Sequence, residues 1–177
     1  MMKTLYFALS ATLACWMLPA AMVQADVTVK ISGLHNCCGS CLKGITKAVK
    51  SAGAQAEMAK GDDTLTLTAP DKATAQKALD KLAAAGYHGT SDTPGLAIKD
   101  DSGAPAGKTT RLVLSGAHNC CGGCADAIKD AAGNVPGVSG QTVNPKSKTF
   151  VVEGNYDAKA LVQALNDAGF HVKVATE

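Results

Sequence analysis

The stretch Gly33-Leu34-His35-Asn36-Cys37-Cys38-Gly39-Ser40-Cys41 returns at an offset of 83 residues as Gly116-Ala117-His118-Asn119-Cys120-Cys121-Gly122-Gly123-Cys124, identical at seven of the nine positions. The offset still holds far downstream, where Ala85-Gly86-Tyr87-His88 falls on Ala168-Gly169-Phe170-His171. Copies that keep register over such a distance carry no net insertion, so the sequence reads as a small unit duplicated in tandem. Six of the seven cysteines and all four histidines belong to these repeated pairs.

Working outward from the cysteines, each copy shows the same succession of periodicities. Val27, Val29 and Ile31 alternate with polar neighbours up to Gly33, as do Leu112 and Leu114 up to Gly116, which predicts half-buried strands. Helical spacing follows each cysteine cluster: Leu42, Ile45, Ala48 and Val49 in the first copy, Ala125, Ile128, Ala131 and Ala132 in the second. Gly53, and Gly133 with Pro136, end those helices. Hairpins are expected next, from 55–59 to 64–68 and from 138–143 to 149–152, turning at Gly61-Asp62-Asp63 and Asn144-Pro145. Second helices carry Ala75, Ala78, Leu79 and Leu82, or Ala158, Leu161, Val162 and Leu165, and close at Gly86 or Gly169 before a last short strand. The expected fold class is therefore α+β: two tandem ferredoxin-like βαββαβ domains, each a four-stranded antiparallel sheet with two helices on one face. That topology brings the loop after the first strand beside the loop before the last.

The ends and the middle set the organisation. Residues 1–25 place Lys3 before an apolar run from Leu5 to Leu18, then Pro19 and a small-residue tail, which is the pattern of a secretory signal peptide. Cleavage leaves no membrane attachment; retention would make the same segment an anchor. The expected layout is a signal peptide at 1–25, a first domain at 26–92, a flexible linker at 93–107 rich in Pro, Gly and charge, and a second domain at 108–177. The folded part is expected to work in the periplasm or as a secreted protein. Net charge is +2, and beyond residue 25 the aromatics are Tyr87, Phe150, Tyr156 and Phe170 alone. A nucleic-acid binder needs a basic excess and stacking platforms, so that class is excluded.

These motifs resemble the heavy-metal-associated (HMA) domain family, the small module of copper chaperones, copper-ATPase tails and the periplasmic mercury-binding protein. The pattern it shares is a Gly closing strand one, a Cys-x-x-Cys opening helix one, a Pro-Gly-Val before strand two and an Ala-Gly-aromatic before strand four. The second copy has all four, as Gly116, Cys121 with Cys124, Pro136-Gly137-Val138 and Ala168-Gly169-Phe170; the first lacks Pro-Gly-Val and has Gly53-Ala54-Gln55 there. The resemblance implies a metal-binding, non-enzymatic module whose ligands are Cys38 and Cys41, and Cys121 and Cys124. Metal-transporting ATPases or other metal-handling proteins are the implied partners. Cys37, Cys120, His35 and His118 are additions to the family pattern.

The loop chemistry leads the same way by itself. Cys41 and Cys124 fall in the first turn of a helix, where free N–H groups and the dipole favour a thiolate. Soft thiolates select Cu(I), Hg(II) or Zn(II) over Mg or Ca. The leading expectation is Cu(I), held by two or three thiolates per domain. Adjacent residues of an extended loop point to opposite sides, so Cys37 and Cys38 are not expected to ligate together. A local Cys3His zinc knot from His35, Cys37, Cys38 and Cys41 is a rival reading, as are disulfide bonding and a thiol-disulfide oxidoreductase built on Cys-x-x-Cys. His35 and His118 are candidate ligands or loop hydrogen-bonders. Tyr87 and Phe170 are expected to shield the site, and His88 and His171 to face away from it on the sheet surface. Lys43 and Lys47 stand where the second copy has Asp126 and Asp130, which predicts that the two domains dock face to face through opposite charge and hold or pass an ion between them.

Overall fold

A computed structural model describes residues 25–175; the signal-peptide reading of residues 1–25 therefore falls almost wholly outside the described residues. Among the described residues no helix is long and apolar enough to cross a membrane.

The elements run β1 (Val27–Ser32), α1 (Gly39–Ser51), β2 (Gln55–Glu57), β3 (Leu65–Ala69), α2 (Lys72–Ala84), β4 (Thr90–Ser91), β5 (Lys108–Ser115), α3 (Gly122–Gly133), β6 (Val138–Gln141), β7 (Thr149–Asp157), α4 (Ala158–Asp167) and β8 (Lys173–Val174). They form two four-stranded antiparallel sheets of order β2-β3-β1-β4 and β6-β7-β5-β8, each served by two helices. The alternation in β1 buries Val29 and Ile31, and that in β3 buries Leu65, Leu67 and Ala69. Against these lie Ile45, Ala48 and Val49 of α1 and Ala75, Ala78, Leu79 and Leu82 of α2. The carboxy-terminal half repeats the scheme with Ile128 and Ala132 of α3 and Leu161, Val162 and Leu165 of α4. Each fully buried leucine or isoleucine contributes roughly 1.5–3 kcal/mol over an exposed one, which makes these faces the main source of stability. Asp71 and Asp157 cap α2 and α4 by accepting from the N–H groups of Thr74 and Ala160, 2.6 and 2.9 Å away. β7 is longer than its periodicity predicts, because the early part of β5 pairs with it from Lys108 onward.

Segment 93–107 is not a free tether. Leu96, Ile98 and Ser102 are buried. The Gln76 side chain of α2 clasps both backbone groups of Ala97, at 2.9 and 3.2 Å. Asp101 accepts from the Lys173 ammonium at 2.8 Å, and Val174 N–H donates to Ser102 O at 2.7 Å. Two apolar side chains and these polar ties outweigh a composition of Pro, Gly and charge, and the segment lies along both halves as a strap.

The halves also meet directly. An antiparallel bridge pairs Tyr87 with Phe170. Around it, His88 N–H donates to Gly169 O at 3.0 Å, while Gly86 O accepts from His118 N–H at 3.2 Å and His171 N–H at 3.1 Å. The crossing requires glycine. A Cβ on Gly86 would strike the backbone of Gly116 and His118, and one on Gly169 the backbone of Gly33 and His35; both glycines have positive φ, 84° and 88°. Two cysteine loops are thereby brought together.

Candidate metal centre

Each cysteine loop is fixed from behind by its asparagine. Asn36 Nδ2 donates to Ala59 O at 2.8 Å and Asp62 O at 3.1 Å, in the turn between β2 and β3. Asn119 Nδ2 donates to Asn144 O at 2.7 Å and Ser147 O at 3.2 Å in the matching turn. Sequence reasoning assigned these asparagines no role, although their identity in both copies was the signal. Cys38 and Cys121 are the N-cap residues of α1 and α3, with extended backbones (φ −152° and −156°). Three residues on, Cys41 and Cys124 are fully buried in the first helical turn.

Six sulfurs, three from each half, converge. Within the first half Cys41 Sγ lies 3.7 Å from Cys37 Sγ and 3.6 Å from Cys38 Sγ. Within the second, Cys124 Sγ is 3.7 Å from Cys120 Sγ and 3.9 Å from Cys121 Sγ. Across the junction Cys41 meets Cys124 at 3.7 Å and Cys120 at 3.7 Å, Cys37 meets Cys121 at 3.7 Å and Cys124 at 3.8 Å, and Cys38 meets Cys120 at 3.6 Å and Cys121 at 4.0 Å. No pair is at the roughly 2.05 Å of a disulfide.

Two expectations need correcting. Cys37 and Cys38 do not divide between site and solvent: together with Cys121 their sulfurs lie within 4.8 Å of one another. Alternation assumed a single small target, whereas the second half supplies sulfurs for both side chains to meet. Nor does a local Cys3His set form. The histidine-containing groups draw on both halves, as His35 with Cys37, Cys41 and Cys124, and His118 with Cys41, Cys120 and Cys124, each within 4.8 Å. The Nε2 atoms of His35 and His118 are buried without a hydrogen-bond partner.

The aromatic cover is exchanged between halves. Tyr87 stacks on His118, with ring centroids 4.3 Å apart, and Phe170 lies against His35 at 4.5 Å with the rings tilted by 32°. Tyr87 also donates its hydroxyl to Cys41 O at 3.0 Å. His88 and His171 are not on an open sheet surface: their rings stack, with Nδ1 atoms 3.3 Å apart, and His171 is buried with Nε2 2.7 Å from Asp101. Bridging at Tyr87 and Phe170 turns the following residues inward to the junction. The halves dock as expected, but not by the expected force. Lys43, Lys47, Asp126 and Asp130 are exposed, and among the described residues no ion pair joins either lysine to either aspartate.

Proton affinities divide the sulfurs into two kinds. The Cys41 N–H facing Cys38 Sγ, helped by thiol donation from Cys120 and Cys41, brings Cys38 down to about 6 although burial opposes it. The Cys124 N–H lowers Cys121 in the same way. No strict capping bond forms at either sulfur, yet both face the positive end of a helix. Desolvation of the sulfur among its neighbours, with thiol hydrogen bonds from them, pushes Cys37 and Cys120 well up although Cys37 as a residue is exposed, and burial leads the rise of Cys41. Burial lowers His35 and His118, keeping them in the neutral, ligating form. The arrangement offers two sulfurs, Cys38 and Cys121, shifted toward the thiolate, three, Cys37, Cys41 and Cys120, shifted toward the thiol, and two neutral imidazoles.

Residues 120–171, which begin at Cys120 and contain Cys121, Cys124 and His171, match the heavy-metal-associated domain family. Among solved structures, the chain is similar to the solution structure of the N-terminal soluble domains of Bacillus subtilis CopA, with 18% identity over 87% of this chain and 97% of that one and a TM-score of 0.32. It is also similar to the crystal structure of the first two RRM domains of yeast poly(U) binding protein (Pub1), with 9% identity over 85% and 100% of the two chains and a TM-score of 0.24.

Proposed function

We propose that this chain is an exported soft-metal-binding protein whose cargo is Cu(I), which it sequesters or transfers by exchange between cysteine thiolates. The observation that carries this reading is the convergence of three sulfurs from each half at 3.6–4.0 Å. Thiolate donors favour Cu(I) and Zn(II) over hard cations, and the family match over residues 120–171 supports the same chemistry. Release to a metal-transporting ATPase or another metal-handling protein proceeds by ligand exchange, with no bond of a substrate made or broken, so the protein is not an enzyme. Cys37 is the exposed cysteine of the cluster and the natural point of first contact for an incoming ion or partner thiol. Hg(II) fits the same donors. Zn(II) is a second reading favoured by one observation, the two groups in which His35 or His118 joins three cysteines. Location in the periplasm or outside the cell rests on residues 1–25.

Anaerobic titration of the reduced chain with Cu(I), Hg(II) and Zn(II), followed by native mass spectrometry and chelator competition, tests the reading. The expected result is retention of Cu(I) against a chelator, abolished by prior thiol alkylation. Absence of uptake of all three ions refutes it.

A further inference from the structure

The six sulfurs are not two pairs with extras; their mutual distances define a polyhedron. Cys37, Cys38, Cys120 and Cys124 surround Cys41, and Cys37, Cys41, Cys120 and Cys121 surround Cys124, all at 3.6–3.9 Å. Cys38 reaches both Cys120 and Cys121, at 3.6 and 4.0 Å, and Cys37 reaches Cys121 at 3.7 Å. Five of the fifteen pairs are left out of these contacts: the two vicinal pairs, Cys37 with Cys38 and Cys120 with Cys121, which adjoin along the chain, and three that fall opposite one another, Cys37 with Cys120, Cys38 with Cys124 and Cys41 with Cys121. Three opposite pairs joined along their remaining sides make an octahedron. The vicinal pair Cys37 and Cys38, within 4.8 Å, closes one of its sides.

Its size selects what it can hold. A metal–thiolate bond of about 2.3 Å places two sulfurs about 4.6 Å apart in linear coordination and about 4.0 Å apart in a three-sulfur plane. The observed edges of 3.6–4.0 Å fit the triangular face and not the linear pair. One ion at the cage centre would stand about 2.7 Å from each sulfur, too far for such a bond. Two ions on faces that share an edge would lie under about 2 Å apart, closer than a metal–sulfur bond, so only alternate faces fill. An octahedron has four alternate faces.

Resting on the soft-metal reading above, we propose that the two halves together form a single six-sulfur cage for a multinuclear Cu(I)–thiolate cluster of up to four ions, each on a three-sulfur face and each sulfur bridging two ions. Loading is ligand exchange without electron transfer. The protons still held by the thiols leave as four Cu(I) enter, and with all six sulfurs as thiolates the inorganic core carries a net charge of −2. Every face that spans the junction takes sulfurs from both halves, so the cargo itself ties the halves together. The two fillings of alternate faces are exchanged by the internal repeat: one includes the face beside His35, the other the face beside His118.

The test is anaerobic Cu(I) titration of the reduced full-length chain, read by native mass spectrometry and copper K-edge X-ray absorption. The expected result is saturation above two Cu(I) per chain, three-sulfur coordination and a metal–metal scattering shell. Cys37→Ser adds the sharper arm, because Cys37 is exposed and its replacement leaves the core intact. A shared vertex serves two occupied faces, so this variant loses two ions at once, and Cys120→Ser does the same; independent sites would lose one. Saturation at one or two Cu(I) with no metal–metal shell overturns the cage while leaving the soft-metal reading in place. No uptake at all overturns both.

Discussion

In the amino-terminal half the Tyr87 hydroxyl reaches the Cys41 carbonyl over a glycine, Gly44, whereas 83 residues later the same two places hold Phe170 and Ala127. A Cβ on Gly44 would collide with the Tyr87 hydroxyl. The halves have thus exchanged a methyl on the helix for an oxygen on the ring, and both solutions hold the aromatic against the partner loop, Tyr87 on His118 and Phe170 on His35. What the duplication preserves is the crossing of each Ala-Gly-aromatic turn onto the other half's cysteine loop. Side-chain identity is free to vary where a compensating change is one helical face away.

The crossing is the place to break that equivalence. Gly86→Ala pushes a methyl into the backbone of Gly116 and His118, and Gly169→Ala into that of Gly33 and His35, each at a positive φ that disfavours alanine. Overpacking and strain together predict a loss of about 3–5 kcal/mol for either substitution. Urea denaturation should show the two losses equal within about 1 kcal/mol, and small-angle scattering should show the halves separating. A much smaller loss for one of them would mean that only one crossing holds the junction.

The histidines that follow the crossing are less alike. His171 is held by Asp101, whereas His88 faces the His171 ring, with Asp100 and Asp167 as the carboxylates that oppose its neutralisation. Burial, and secondarily His171, brings His88 down to about 4 from its ordinary 6.5. A histidine whose folded pKa is depressed takes its proton first in the unfolded chain. Its contribution is complete above about pH 6.5 and lost as pH falls toward 4, up to about 3 kcal/mol over that window. The urea midpoint of wild type should fall through this range relative to His88→Phe. Parallel profiles for the two proteins would remove His88 as the cause.

The exchange at Gly44 and Ala127 predicts a smaller, coupled effect. Gly44→Ala should cost about 2 kcal/mol by displacing the Tyr87 ring, and Tyr87→Phe about 1 kcal/mol by leaving the Cys41 carbonyl unpaired. The double variant recreates the carboxy-terminal arrangement and should return to within about 0.5 kcal/mol of wild type, a coupling that a double-mutant cycle measures directly. Additive losses would show that the two halves reached their packing independently of this pair.

Much of this was legible in the sequence, and the parts that were not share a cause. Strand alternation at Val29 and Ile31 and helical spacing at Ala75, Ala78, Leu79 and Leu82 gave the elements, because those signals depend only on a face and its own core. The register of the two halves was invisible to such local rules. Cys37 and Cys38 were separated by an alternation rule that knows nothing of sulfurs arriving from 83 residues away. The strap at 93–107 read as flexible because two buried apolar residues, Leu96 and Ile98, are diluted among Pro, Gly and charge. His88 and His171 are adjacent to a bridge between sheets that no single copy contains. Only the charge asymmetry pointed across the repeat, and it named the right event for the wrong reason.

That asymmetry gives the smallest expected effect. Lys43 and Lys47 line an open groove on α1 with Leu42, Thr46, Lys50 and Ser51, and Asp126 on α3 pairs with its own neighbour Lys129 at 3.7 Å. With no ion pair spanning the junction, reversing both lysines to aspartate removes no contact between the halves. The change in stability should stay within about 0.5 kcal/mol, and the scattering profile should match that of wild type at both 20 mM and 500 mM salt. Separation of the halves at low salt alone would show that long-range attraction, rather than the glycine crossings and the sulfur cage, brings them together.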